Sequence, residues 1–165
     1  MIVSLTKITY DKLTNQLTKD DKIAIWTCNL CIKLCGVGGE IVAENLADKL
    51  REDGYNVIHV ETIGYGCHMG LVRDRTRDPV TKPIFEKVDT IISIVCTDGN
   101  EKVERVFRKG RKFVFVTETV GVGAYNTETG MRLQLPLVET GLKARDEGIP
   151  LKEAAKKLNM SADPI

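Results

Sequence analysis

The chain has 165 residues, 42% of them apolar and 28% charged, a composition that excludes a disordered polymer and allows one domain with a sizeable core. Its 24 basic and 23 acidic residues leave a formal charge of +1, which speaks against a dedicated nucleic-acid binder. The most apolar runs, 91–96 and 113–116, are too short to span a bilayer, and MIVSLTKITYDK lacks the apolar core of a signal peptide. A cytoplasmic chain with no membrane span is the expectation.

Ile2, Val3 and Ser4 predict a short opening strand, and Tyr10, Leu13 and Leu17 recur at helical spacing. KIAIWT (22–27) is the apolar run of a buried parallel strand that ends at Cys28. Past the glycines of GVGGE, Val42, Ala43, Leu46, Ala47 and Leu50 fall on one helical face, with Gly54 placed to end that helix. Residues 56–62 read as a second strand, 64–82 as a long polar loop, 83–87 as a short helix and 89–95 as a third strand ending at Cys96. Val103, Val106 and Phe107 give a helix over 101–109 its apolar stripe. Residues 112–117 predict a fourth strand, GVGA (121–124) a turn, and the tail reads as helical around 137–146 and around 151–158. This alternation predicts an α/β fold, a Rossmann-like three-layer domain with a mainly parallel sheet. One cysteine-rich domain over 1–165 is expected, with 1–20 as an N-terminal strand and helix and 121–165 as a C-terminal extension.

Five cysteines are the unusual feature, and an odd number makes a poor disulfide framework. Cys28, Cys31 and Cys35 are spaced CxxCxxxC, whereas Cys67 and Cys96 stand alone. Cys28 and Cys96 end predicted strands and Cys67 lies just past another. A parallel sheet therefore gathers all five at the C-terminal edge of its strands, where open sheets bind ligands. Gly36, Gly38, Gly39 and Gly66 let the backbone wrap closely and aim N–H groups at an anionic group, which makes them candidate cofactor-binding positions. Clustered thiolates suit an iron–sulfur cluster, expected as the 4Fe–4S type, with zinc as the alternative and ordinary buried thiols as a third reading. In the cluster reading Cys28, Cys31 and Cys35 supply three ligands, and Cys67 or Cys96 the fourth.

Other motifs carry less. GVGGE lacks the full G-x-G-x-x-G pattern of a dinucleotide site. Arg73, Arg75 and Arg77 alternate with Asp74 and Asp78, the pattern of a solvated or partner-docking loop. His68 reads equally as a ligand or as an exposed loop histidine, His59 as structural, and Trp26 as a core residue limiting water access. No hydrolytic constellation is evident, so independent hydrolysis is not expected.

CNLCIKLCGVGGE (28–40), GCHMG around Cys67 and IVCTDG around Cys96 together resemble the small cysteine-rich subunit of bacterial methylenetetrahydrofolate reductases, the MetV-like family. The resemblance covers roughly residues 1–120, and all five cysteines match cysteine positions of that family. It implies a non-catalytic, metal-binding subunit that transfers electrons to, or organises, a flavin-containing TIM-barrel reductase. It further implies a hetero-oligomer in one-carbon metabolism, with FMN or FAD on the partner only. The segment 71–83 and the tail from Gly121 are distinctive of this chain.

Overall fold

The computed structural model describes residues 1–107 and 110–165. Along the chain run β1 (Ile2–Thr6), α1 (Tyr10–Thr14), β2 (Ile23–Cys28), α2 (Cys31–Leu34), α3 (Glu40–Glu52), β3 (Val57–Ile63), α4 (Met69–Arg77) and α5 (Lys82–Phe85). They are followed by β4 (Thr90–Ile94), α6 (Thr97–Phe107), β5 (Lys112–Phe115), β6 (Thr117–Asn126), β7 (Gly130–Pro136), a 3-10 turn (Val138–Thr140), β8 (Ile149–Pro150) and α7 (Leu151–Leu158). The fold is mixed α/β, with two four-stranded sheets of order β3-β2-β4-β5 and β1-β6-β7-β8. The first sheet is parallel throughout and the second antiparallel.

IAIWTC is buried at all six positions because β2 is paired on both edges and packed on both faces. Ile23 and Ile25 share an apolar cluster with Leu13 of α1 and with Ala43, Leu46, Ala47 and Leu50 of α3. Ala24, Trp26 and Cys28 point the other way, into a cluster with Val72 of α4, Phe85 of α5 and Val103 and Phe107 of α6. There the ring of Trp26 lies 5.8 Å from Phe85 and 5.5 Å from Phe107, centroid to centroid. Each such buried side chain contributes about 1.5–3 kcal/mol of transfer free energy. Val3, Leu5, Val120, Met131 and Leu133 bring the antiparallel sheet onto this same cluster. Gly54, at φ +82°, ends α3 in the left-handed conformation expected of it. Among the described residues no helix is long and apolar enough to cross a membrane.

Several expectations are corrected. The mainly parallel sheet is one parallel sheet of four strands beside an antiparallel sheet of four. The loop expected over 64–82 contains α4, whose single buried residue, Val72, leaves no apolar periodicity to detect. Helix α6 begins at Thr97, four residues earlier than expected, and the expected last turn at 108–109 lies outside the described residues. The fourth strand divides at Val116 into β5 and β6, and GVGA lies within β6 rather than in a turn. The region 137–146 is a 3-10 turn and loop leading to β8, whereas the second tail helix is present as α7.

The glycine inside β6 has a steric reason. A Cβ on Gly123 would stand 2.0 Å from the Arg132 carbonyl oxygen and 2.7 Å from Val3 Cγ2. Gly123→Ala is therefore expected to cost about 1–3 kcal/mol through overpacking. Gly64→Ala, which meets nothing within 4 Å, is expected to leave stability unchanged or slightly higher. Urea unfolding midpoints of the two variants check this; equal midpoints would show that β6 and β7 can separate without cost.

Candidate functional site

Buried threonines flank the strand ends that carry the cysteines. Thr27, next to last in β2, is fully buried; its Oγ1 donates to the Ile94 carbonyl at 3.0 Å and accepts from the Gly39 N–H at 3.0 Å. One hydroxyl thus joins the ends of β2 and β4 to the start of α3. Asn29 Oδ1 accepts the next N–H, that of Glu40, at 3.0 Å. On the far side of β4, Thr117 Oγ1 donates to the Val95 carbonyl at 2.6 Å. Thr97 and Thr119 exchange N–H···Oγ1 bonds, each 3.0 Å, and Ser4 Oγ lies 3.3 Å from Thr119 Oγ1. The two sheets are therefore stitched together beside Cys96.

Cys28 is the last residue of β2, and Cys96 lies between β4 and α6. Cys31 opens α2 and Cys35 closes its single turn, donating its N–H to the Cys31 carbonyl at 3.0 Å. Gly36, at φ +79°, takes the left-handed conformation that lets the chain leave that turn. Cys67 lies in the connection between β3 and α4. All five thiols are free; Cys28, Cys35 and Cys96 are buried, Cys31 is half-buried and Cys67 is exposed.

The thiols lie near enough to influence one another's ionisation. Burial pushes the Cys28 thiol up and raises Cys35 and Cys96 to about 11. Neighbouring thiolates push the same way: Cys31 and Cys67 on Cys28, Cys31 and Cys96 on Cys35, Cys28 and Cys67 on Cys96. The backbone opposes this, at Leu30 and Gly66 beside Cys28, at Ser4 beside Cys35 and at Gly99 beside Cys96, each favouring the thiolate. Cys35 Sγ also lies 3.8 Å from the Ile2 carbonyl oxygen, so the outer edge of β1 faces this thiol.

The sequence-predicted glycines divide in role. Gly66 lies against Cys28, where a Cβ would stand 3.5 Å from the sulfur, and its backbone favours that thiolate. Gly38 packs on Ile32, 2.7 Å from Cγ1 at the position of a Cβ, and the Gly39 N–H is taken by Thr27. His68 caps α4, accepting the Leu71 N–H at 3.3 Å, and His59 bonds to Glu61 at 3.0 Å. The threonines were not anticipated; the dipeptides Thr27-Cys28 and Cys96-Thr97 were the available signal.

Cysteine thiolates are the donor type taken by zinc and by iron–sulfur clusters. A buried thiol that resists ionisation on its own becomes a thiolate when a cation supplies the balancing charge. Among the described residues no three His, Cys, Asp or Glu side chains are grouped closely enough to hold a single ion as they stand. No known protein family, curated protein or solved structure matches the chain.

Thr27→Val keeps the shape of the side chain and strands the Ile94 carbonyl and the Gly39 N–H. It is expected to cost about 1–3 kcal/mol, with Thr27→Ser retaining most of the stability. Urea unfolding of both variants checks this; a valine variant as stable as the parent would remove the hydroxyl from the account.

Proposed function

We propose that this chain binds an iron–sulfur cluster, of the 4Fe–4S type, as the electron-transfer subunit of a flavin-containing methylenetetrahydrofolate reductase-type complex. The observation that supports the metal is the placement of five free thiols past the strand ends of the parallel sheet, Cys28 at the end of β2, Cys67 after β3, Cys96 after β4 and Cys31 and Cys35 at the two ends of α2. Cys28, Cys31 and Cys35 supply three thiolates in this reading, and Cys67 or Cys96 the fourth. A bound cluster supplies one-electron chemistry. The chain's own residues set the conditions around it. The backbone at Leu30, Gly66, Ser4 and Gly99 favours negative charge on the sulfurs, which would favour the reduced state of a bound cluster. Trp26, Phe85 and Phe107 keep the β2 side of the site dry.

The Rossmann-like reading has support in the strand order. Helices cover both faces of the parallel sheet, and the progression of strands reverses between β2 and β4. Open α/β sheets bind ligands beyond the strand ends at such a reversal, and Cys28 and Cys96 flank it. The sequence resemblance supports the rest of the reading: a flavin-containing TIM-barrel partner in the cytoplasm that carries the FMN or FAD. A cleft of about 340 Å³ beside Cys35, lined by Leu34, Met131, Leu151 and Ala162, leaves that side of the site thinly covered for a partner's approach. The second reading, a structural zinc that organises the same complex without a redox role, draws on the same four-thiolate donor set.

Anaerobic purification followed by iron, sulfide and zinc analysis separates the readings. About four irons and four sulfides per chain are expected, falling close to zero in Cys28→Ser and Cys35→Ser. Stoichiometric zinc without iron would replace the cluster reading by the zinc reading. The isolated chain is expected to show no reductase turnover, and flavin bound stoichiometrically to it would contradict the division of labour.

A further inference from the structure

The face of the parallel sheet that ends in Cys28 carries an ion cluster that the metal reading does not use. In register along this face, Ala24 pairs with His59, Trp26 with Glu61 and Cys28 with Ile63. Glu61 is a buried carboxylate on the edge strand β3. Both of its oxygens are engaged, Oε2 with His59 Nε2 at 3.0 Å and Oε1 with Arg75 Nε at 3.2 Å. The imidazole of His59 is held in turn edge-on to Phe85, 5.3 Å between centroids. Arg75 belongs to α4, so its ion pair fastens that helix to the sheet one pleat below the cysteines.

Glu61 and Arg75 enclose the segment 64–68, which contains Gly66 and Cys67. Gly66 lies over the Cys28 thiol: a Cβ built on it would stand 3.5 Å from Cys28 Sγ and 3.3 Å from Val95 Cγ1. From the other side, a Cβ on Gly99 would stand 3.4 Å from the Gly66 carbonyl carbon, so the same peptide also covers the start of α6 beside Cys96. Val72 is the only buried residue of α4, and Arg75 is half-exposed. Glu61 is buried, so loss of the cation leaves its carboxylate with His59 alone, a cost that favours the closed arrangement.

We propose that the Glu61–Arg75 pair, steadied by His59, is the latch that holds the Gly66–Cys67 segment over Cys28 and Cys96, and that its release admits reagents or metal to them. Glu61 and Arg75 are thus positioning residues for the cysteine site. The inference rests on the metal reading only for what the latch admits; the latch itself is read without metal.

The test is thiol alkylation of the full-length, metal-free, reduced chain under native conditions, with each cysteine followed by peptide mass spectrometry. Arg75→Met and Glu61→Gln are expected to raise alkylation at Cys28 and Cys96 at least about tenfold, equivalent to ~1.4 kcal/mol of opening free energy. Cys35, which lies against β1 and away from the latch, is expected to keep its parental rate. Arg75→Lys, which restores a cation, is expected to return Cys28 toward the parental rate. If Glu61→Gln does not fold, the two Arg75 variants carry the test alone. Unchanged rates, equal acceleration at Cys28 and Cys35, or a lysine variant that behaves like the methionine variant would each overturn the latch. Failure to find metal in the parent leaves these rates unaffected, so the two readings fail separately.

Discussion

Strand β2 is hydrogen-bonded on both edges and covered on both faces, and the rest of the structure follows from accommodating it. A parallel strand so placed needs a connection of a dozen or more residues to each neighbour, and helices supply it. The strands to either side end level with it, so every connection leaves from the same edge. Cys28 and Cys96, with β3 and β4 between them in sequence, are therefore carried to the same edge. The buried hydroxyl of Thr27 locks the arrangement, because the Ile94 carbonyl and the Gly39 N–H have this one side chain in common.

The antiparallel sheet completes the site from the other side. Its first strand, β1, offers an outer edge whose Ser4 N–H and Ile2 carbonyl face Cys35. The pairing of β1 with β6 holds that edge in place, and the reciprocal threonine bonds between residues 97 and 119 tie it to the neighbourhood of Cys96. A strand edge is usually a hazard that proteins must cover. Here part of the edge accepts from a thiol, the Ile2 carbonyl from Cys35.

What was legible in the sequence was what burial writes strongly. KIAIWT and DTIISIV are continuous apolar runs because both faces are covered, and each stops at or beside a cysteine. The helix face of Ala43, Leu46, Ala47 and Leu50 was equally plain. Helix α4 was not legible, since only Val72 of MGLVRDRTR is buried and the ion pair from Arg75 looks like any surface charge in a linear reading. The antiparallel sheet was hidden for another reason. GVGA has the composition of a turn, and only the close passage of Arg132 explains glycine at position 123 within a strand. The pairing of Ile2 with Val122 is a long-range contact that no local pattern records.

The central claim is that the cysteines of separate elements act as ligands of one centre. X-ray absorption at the edge of whichever metal co-purifies tests it most directly. The account predicts a first shell made of sulfur alone, at ~2.3 Å for either zinc or an iron–sulfur cluster, with an added iron–iron shell in the iron case. A first shell of nitrogen and oxygen without sulfur would contradict it, because no arrangement of these five thiols around a common metal yields that spectrum.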